Sequence, residues 1–556
     1  MSDPVTFEVV AADEAAEIYL IDGDFRLVDK GVGRKTFTVL PGIYKVKNRS
    51  GQTTAERLVV VQAGMPPVRL DPVAISSAMP LEHSARTHEY HMSAAAEADS
   101  APTLQHGAGS NIVIVARQWT SRNPLPSPNP LNPARGLALL EKSGTLVADV
   151  AALARVQATA DPIATFNVEL APGSYRLSLL RADGRRVEQT LIASPDWQTQ
   201  VYLLVEGIVE NEAARVDLVN GAITLRRPTD PFTADDASLR AEEIARGILR
   251  GPHKILSDAM RAQFTSADAS PMLALVGAHL LIREANDERE RLQREPGATS
   301  TVVDGNRAAL RTIVDNLRGV LGDSHPDVEA VATVAGNPAP GFVFDVPPMM
   351  RRSWPLLLAL SVERPAAIPA ETITARAAER IWGEGTWLQW LGVDEVDRTA
   401  LWQAKARDLL ASYVAAAQAE AAQADAAVPE NAAAEMATSI TAAAARSVAT
   451  SVGTSATGSL ATSAVASVVA SVAMPVARVF VGAREGLRAA QRYFRRRSRT
   501  PFPSLVQSQA ARPESATSPD LRAVRDSMTD EHRAQLVRQV GVPLSKIDAW
   551  LNQVGP

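Results

Sequence analysis

Apolar and polar residues alternate along the first part of the chain with the period of two that half-buried strands require. The strand pattern covers residues 1–77, for example at 6–10, and a strand signal returns over residues 111–233, beginning with the apolar run 112–115. Residues 78–110 lose the alternation and are rich in Ala, Ser, His and Glu, a composition that buries little apolar surface. The pattern predicts two small antiparallel β-sandwiches joined by a linker over residues 78–110.

The apolar period changes to 3.6 near residue 234, which is typical of helices. Residues 272–282 are apolar on nearly every side and predict a central buried helix. A regular apolar stripe runs from Leu310 to Leu321 and ends at Gly322. Residues 234–410 are therefore predicted to form an α-helical domain.

Alanine and serine dominate the chain beyond this domain. Because alanine is the best helix former, residues 411–499 are predicted to be a helical tether with a basic end. A Pro/Ser-rich stretch over 500–517 predicts a second linker, and helix starts at Ser518, Thr529 and Ser545 predict a small three-helix module over 518–556. The predicted fold class is thus multidomain β + α.

One strand-turn pattern occurs twice. Pro41-Gly42 is followed by Tyr44, and Pro172-Gly173 is followed by Tyr175, each after a Thr-Phe strand and before a second apolar strand. The pattern resembles the PEGA and carboxypeptidase-regulatory-like group of β-sandwiches, over residues 1–72 and again over 111–207. The resemblance implies accessory, binding or spacer modules without catalysis. The alternative is any antiparallel sandwich with a tight turn.

The middle domain and the order of domains are similar to uncharacterised bacterial proteins that accompany caspase-like peptidases in conflict systems. No catalytic residue carries over from this resemblance. It implies an adaptor for a peptidase, or a regulated substrate that the peptidase cuts, in a defence system. The partner expected from it is another protein.

Composition excludes several classes of function. Lys and Arg number 57 and Asp and Glu 62, a formal net charge of −5, so nucleic acid is an unlikely partner of the whole chain. The chain has no cysteine, which excludes disulfides, thiolate metal sites and cysteine nucleophiles. The first residues show no basic and apolar secretory leader, so we expect a cytoplasmic protein, peripheral to the membrane at most.

No residue pattern in the sequence indicates catalysis. Ser324, His325 and Asp327 are too close in sequence for a triad and are interpreted as a helix start capped by Ser324. His279 lies within an apolar run and is interpreted as a core histidine. The linker holds a cluster with unsuitable metal-ligand spacing, interpreted as solvated: Glu82, His83, His88, Glu89 and His91. We expect no cofactor and no enzyme, and keep a hydrolase without a recognisable motif as an alternative.

Two sets of residues are candidates for binding a partner. Tryptophans cluster late in the helical domain and mostly fit its core, but residues 349–352 are predicted to form an exposed docking element. The candidates of this first set, together with one from the C-terminal module, are Met349, Met350, Arg351, Arg352, Trp354 and Trp550.

The second set lies in the tether. Residues 447–477 carry no charge over 31 positions, and residues 478–499 carry eight arginines and one glutamate. The favoured interpretation is a close-packed hairpin or tether, and the alternatives are a membrane-acting effector using residues 447–499 or a polyanion binder. The residues of this set are Val465, Val468, Val472, Arg495, Arg496, Arg497 and Arg499.

Overall fold

Strands and helices both contribute to the described part of the chain, which in a computed structural model comprises residues 3–119, 132–157, 159, 161–181, 183–206, 215–230, 232–251, 256–295, 297–392, 399–427 and 521–553. Several of its sheets are antiparallel, and the predicted mixed β and α composition is confirmed.

Seven strands come first, and we name residues 5–70 the first module. They are β1 (Val5–Ala11), β2 (Glu17–Ile21), β3 (Leu27–Val32), β4 (Arg34–Val39), β5 (Gly42–Ser50), β6 (Thr53–Val61) and β7 (Val68–Leu70). They form two sheets, with strand orders β4-β1-β7 and β3-β2-β5-β6. The alternating apolar residues of both sheets, such as Phe7, Ile18 and Phe37, bury one shared core.

Most later strands fall within residues 110–226, the second module. The strands that follow the first module are β8 (Leu104–Gln105), β9 (Ser110–Trp119), β10 (Leu137–Glu141), β11 (Leu146–Asp149), β12 (Arg155–Gln157), β13 (Ile163–Leu170), β14 (Gly173–Leu180), β15 (Arg186–Ala193), β16 (Gln198–Glu206), β17 (Arg215–Arg226), β18 (Ile381–Trp382) and β19 (Gln389–Leu391). One sheet has the order β12-β13-β9-β16-β17, with β8 beside β13, and the other has the order β11-β10-β14-β15-β19-β18.

The two modules share one strand order. If β1 to β7 are matched in turn to β9, β10, β11, β13, β14, β15 and β16, then β4-β1-β7 becomes β13-β9-β16 and β3-β2-β5-β6 becomes β11-β10-β14-β15. Directions agree as well, since β1 pairs in parallel with β7 as β9 does with β16. The second module adds strands to this common arrangement.

A tyrosine fixes the same corner in both modules. The Tyr44 hydroxyl donates to the Leu40 carbonyl at 2.9 Å, and the Tyr175 hydroxyl donates to the Ala171 carbonyl at 2.9 Å. Each Pro-Gly turn carries the chain from one sheet to the other, from β4 to β5 and from β13 to β14. The hydrogen bond back to the strand end holds that crossing in place, as in other tyrosine corners.

Thirteen helices occur in the described residues. They are α1 (Glu89–Ser100), α2 (Val150–Leu153), α3 (Ala237–Arg250), α4 (Asp258–Thr265), α5 (Pro271–Arg294), α6 (Val302–Leu321), α7 (Pro326–Ala335), α8 (Trp354–Glu363), α9 (Ile373–Ala378), α10 (Thr399–Ala427), α11 (Leu521–Ser527), α12 (Asp530–Val540) and α13 (Leu544–Gln553).

The segment predicted as a linker over 78–110 is instead packed against the second module. Its helix α1 buries Ala94, Ala95 and Ala98 against β9 and β13, and the Asn167 side chain donates to the Ala98 carbonyl at 2.8 Å. Alanines every third or fourth residue bring a helix close to a sheet without a wide apolar stripe. The segment was predicted to be a linker because alanines contribute little hydrophobicity, although they are the residues that pack closely here.

The boundary predicted at residue 234 does not separate two cores. Helices α3 to α7 bury their apolar faces in the same cluster as β9, β13 and β16, with Leu275 and Ile313 fully buried. The chain then returns to the sheet, because β19 pairs antiparallel with β15. Residues predicted to be purely helical thus supply two strands to the second module.

The first module contacts α3 at one end of its sheet. Asp13 receives two hydrogen bonds from the Arg240 guanidinium, at 2.7 and 2.9 Å. Gly51, in the turn between β5 and β6, lies against Gly247 of α3, where an added Cβ on Gly247 would be 2.9 Å from the Gly51 Cα. Two backbones approach here at a distance that only glycine permits.

The C-terminal helices form a separate unit with α10 and residues 361–365. Trp402 of α10 meets Trp550 of α13 edge to face at 5.6 Å, and Leu410, Leu536 and Ile547 are buried. The predicted three-helix module therefore has a fourth helix, which crosses the predicted boundary at 411. Residues 428–499 of the predicted tether and the predicted linker 500–517 lie outside the described residues.

Replacing Gly247 by Ala should destabilise the protein by about 1–3 kcal/mol, because the new methyl group meets the Gly51 backbone. Gly319→Ala in α6 is the matched control, since its Cβ would have no neighbour within 4 Å and alanine gains about 1 kcal/mol of helix propensity. Urea unfolding of both variants measures the difference. Equal stabilisation by both substitutions would contradict the close approach of Gly51 and Gly247.

Candidate interaction surface

A serine, a histidine and an aspartate meet in the core, although they are not the three that the sequence placed side by side. Ser353 lies in a short 3-10 turn, Arg351–Ser353, between His279 of α5 and Asp327 at the start of α7. The Ser353 Oγ is 3.1 Å from His279 Nε2 and 2.7 Å from Asp327 Oδ1. All three side chains are buried.

The hydrogen bonds of this network run in the wrong direction for a nucleophile. Asp327 accepts from the Ser353 hydroxyl and from the backbone N–H groups of Met349 and Met350, at 2.8 and 2.9 Å. Burial lowers the pKa of His279 to about 3, which favours the neutral imidazole. Because the Ser353 hydroxyl proton goes to Asp327, the contact between His279 Nε2 and Ser353 Oγ requires the tautomer in which Nε2–H donates. A catalytic histidine would accept the serine proton instead. The network therefore holds the fold together.

The predicted helix cap lies one residue later than expected. His325, not Ser324, caps α7, and its Nδ1 accepts the Asp327 N–H at 3.3 Å. Pro326 takes the first helical position, which makes the residue before it the cap. Ser324 is exposed.

The linker histidines pack α1 onto β9. His91 is buried, and its Nδ1 accepts from the His88 N–H and from the Arg117 guanidinium. His88 stacks against Tyr90 and Trp119, at ring-centre distances of 5.5 and 5.2 Å. In the residues that the structure describes, no three His, Asp or Glu side chains are grouped so that they could hold a metal ion. The interpretation of this cluster as solvated is wrong for His91.

Of the docking element predicted at 349–352, the two methionines are internal, whereas Arg351 is half-buried and Arg352 is exposed. Met349 and Met350 are fully buried. Their backbone is held inside the protein, since both N–H groups donate to Asp327 and the Met349 carbonyl accepts from the Leu388 N–H at 2.7 Å. Arg351 hydrogen bonds the Gly383 carbonyl, and Arg352 the Leu249 carbonyl at 3.3 Å.

The two tryptophans of the first candidate set are buried as well. Trp354 lies in the larger unit, and Trp550 contacts Trp402 and the Arg407 guanidinium. The two methionines and both tryptophans are thus core residues.

The second candidate set lies outside the described residues, from Val465 to Arg499. Among the helices that the structure does describe, none is long and apolar enough to cross a membrane.

An open apolar surface lies on the first module, where the sequence indicated none. Of the twelve large apolar side chains exposed in the described chain, seven belong to this module. Three cover one end of the β3-β2-β5-β6 sheet: Ile43 is 64% exposed, Leu58 71% and Val60 64%. Together with Phe25 at the turn between β2 and β3, they define what we name the open face. The seven are Phe25, Leu27, Val28, Leu40, Ile43, Leu58 and Val60.

One ion pair crosses the open face and recurs in the second module. Lys45 Nζ lies 3.0 Å from Glu56 Oε2 and also 5.3 Å from the centre of the Phe25 ring. At the matching positions, Arg176 Nη1 lies 2.8 Å from Glu188 Oε2. The first pair is partly exposed and the second is buried. The same arrangement is therefore open in one module and covered in the other.

The chain itself covers the matching face of the second module. Thr190, which matches Leu58, is buried and donates its hydroxyl to the Pro347 carbonyl at 2.8 Å. Ile192, which matches Val60, is only 6% exposed. The edge of β15, which matches β6, is paired with β19. In the second module the chain around Pro347 and β19 thus covers a face and an edge that are uncovered in the first module.

Sequence reasoning missed the open face because the run 58–61, Leu-Val-Val-Val, is typical of a strand buried on both sides. Val59 and Val61 are indeed buried in the module, but Leu58 and Val60 point away from it. The sequence signal that could have revealed the open face is a strand that is apolar on both faces in a module too small to bury both.

The chain matches no protein-family model and no curated protein.

Buried titratable groups predict how stability depends on pH. Burial lowers the pKa of His91 and His279 to about 3 and that of His325 to about 4, and raises the pKa of Glu242 to about 7 and that of Asp327 to about 6. As the pH falls below 6.5, these three histidines bind protons in the unfolded chain only, whereas the two carboxyl groups bind protons in the folded protein. The unfolded chain therefore binds more protons than the folded protein, which favours unfolding. Stability should fall from pH 6.5 to 5.

The variant His325→Asn isolates one of these protons, because asparagine keeps the helix cap but does not titrate. It should flatten the decline by about 1.4 kcal/mol per pH unit. Urea unfolding of both proteins between pH 5 and 7.5 gives the two slopes. Parallel profiles would show that His325 does not stay neutral in the folded protein.

Proposed function

We propose that the chain is a non-enzymatic interaction protein whose first module binds an extended segment of a partner protein on its open face. The observation that carries this proposal is the covering of the matching face in the second module, where Pro347 and β19 occupy the positions that stay empty beside Leu58 and β6. Apolar side chains this exposed, grouped at one end of a sheet, are typical of interaction sites.

The proposal includes the arrangement of the chain as two related β-sandwiches followed by helices. The shared strand order, the two tyrosine corners and the matching ion pairs support it. In this proposal the second module is the scaffold on which the helices pack, and the first module presents the binding face. A peptidase of a bacterial defence system as the partner stays a prediction that rests on the resemblance of the middle domain.

A hydrolase is the weaker candidate. The arrangement of Ser353, His279 and Asp327 is buried, and its serine donates to the aspartate. A membrane-acting effector depends on residues 447–499, which the described residues do not include.

Affinity purification from native cells with mass spectrometry tests the proposal. The double variant Ile43→Glu and Leu58→Glu should lose partners that the unchanged chain retains, because two charges on the open face oppose burial. Leu146→Glu is the control, since Leu146 is 59% exposed on β11 of the second module. Unfolding curves should show that both variants fold. An unchanged set of partners in the double variant would contradict the proposal.

A further inference from the structure

The strand β6 leaves an open edge. It ends the sheet order β3-β2-β5-β6, and no other described strand pairs with its free side. Its nine residues pair with β5 in one unbroken register, from Ser50↔Thr53 to Gly42↔Val61. It contains no proline. A long and regular edge of this kind readily pairs with a further strand.

The two charges on β6 do not guard this edge. Glu56 is turned toward β5, where its carboxylate lies 3.0 Å from Lys45 Nζ and 3.9 Å from Lys47 Nζ. Arg57 donates to the Arg69 carbonyl at 3.2 Å, on the β7 side of the module. Edge strands normally discourage pairing with charges, prolines or bulges that face outward. Here both charged side chains are exposed, but each is paired with a group of its own module.

The backbone of β6 offers free groups on the side of the open face. The two-residue turn Gly51–Gln52, with Gly51 at a φ of 61°, closes the hairpin on the pair Ser50 and Thr53. Odd-numbered residues of β6 therefore direct their N–H and C=O groups to β5, and even-numbered residues direct theirs outward. Leu58 and Val60 belong to the outward set.

The second module shows which direction a strand takes at this edge. There β19 pairs antiparallel with β15, through Val187↔Leu391, Glu188↔Trp390 and Gln189↔Gln389. An antiparallel neighbour at β6 is also what two-fold symmetry generates, because each copy of the chain then presents the same strand to the other.

We infer that two copies of this chain pair antiparallel through β6 and form one continuous eight-stranded sheet of two four-stranded halves. This inference rests on the proposed function and names a second copy as the partner. The open face of each copy then continues into that of the other. The apolar side chains of Leu58 and Val60 then lie beside those of the second copy, which reduces their exposure to water.

Charge and the length of strand that can pair select the register, since a two-fold centred on Val60 would pair only residues 59–61 of β6. A two-fold centred on Glu56 or Arg57 would place like charges opposite each other, which destabilises a sheet. Centred on Leu58, the pairing runs from residue 55 opposite 61 to residue 61 opposite 55. Leu58 then faces Leu58 of the second copy, and outward backbone groups face each other throughout.

The mass of the full chain in solution, measured by light scattering over a range of concentrations, tests the inference. The unchanged chain should have the mass of two copies, and Leu58→Pro and Leu58→Lys should have the mass of one. Proline at position 58 removes only an outward N–H, so the module keeps its own hydrogen bonds. Leu27→Lys is the control, because Leu27 is exposed on β3 at the opposite edge of the same sheet.

Cross-linking tests the register. The chain has no cysteine, so Leu58→Cys introduces a single thiol that faces its own copy across the two-fold, within the Cα separation that a disulfide requires. Oxidation should link Leu58→Cys into covalent dimers much faster than Thr54→Cys, whose opposite residue would be Gln62.

A chain of single mass at all concentrations, or equal cross-linking of both cysteine variants, would overturn the inference. If the protein is a single copy in solution but the Ile43→Glu and Leu58→Glu double variant loses protein partners that the unchanged chain retains, the inference is wrong and the proposed function stands. If the protein is a single copy and the double variant retains every partner, both are wrong.

Discussion

The carboxylate of Asp327 joins the helical part of the larger unit to its sheets. Asp327 opens α7 and accepts the N–H groups of Met349 and Met350. The Met349 carbonyl in turn accepts from Leu388, directly before β19, which pairs with β15. A buried carboxylate costs free energy unless its oxygens are bonded, and here three donors meet it. The return of the chain to the second module depends on this one group.

That return explains why two modules with one strand order have different surfaces. In the second module, beside the segment around Pro347 and β19, the Arg176–Glu188 pair is buried. Buried charges are costly unless they are paired, and here the two groups lie 2.8 Å apart. In the first module the Lys45–Glu56 pair keeps its solvent, and the side chains beside it stay exposed. The difference lies in what covers each sheet, and the strands themselves differ little in arrangement.

Local patterns were predicted well and their surroundings were not. The repeat with Tyr44 and Tyr175 could be found in the sequence because proline, glycine and tyrosine each act on nearby backbone. The packing of α1 could not, because small alanines give no apolar stripe and the partner strands are distant in sequence. Burial of Met349 depends on Asp327, 22 residues away, and exposure of Leu58 on a covering segment that the first module lacks. Periodicity reports which face of a strand is apolar, whereas a distant contact decides whether that face is covered.

A sheet that grows by pairing of exposed edge strands stops growing only when no open edge is left. If β6 paired in a chain of copies, each added copy would need a second open edge, and the only other edge of its sheet is β3. That strand carries Lys30 at an exposed position, whereas its neighbour Asp29 pairs with Lys35 at 3.2 Å within the module. An exposed lysine on an edge strand opposes the addition of a further strand. An antiparallel pair of β6 strands would use both open edges at once and leave the two β3 strands as the ends of the joined sheet, so a sheet formed in this way would stop at two copies.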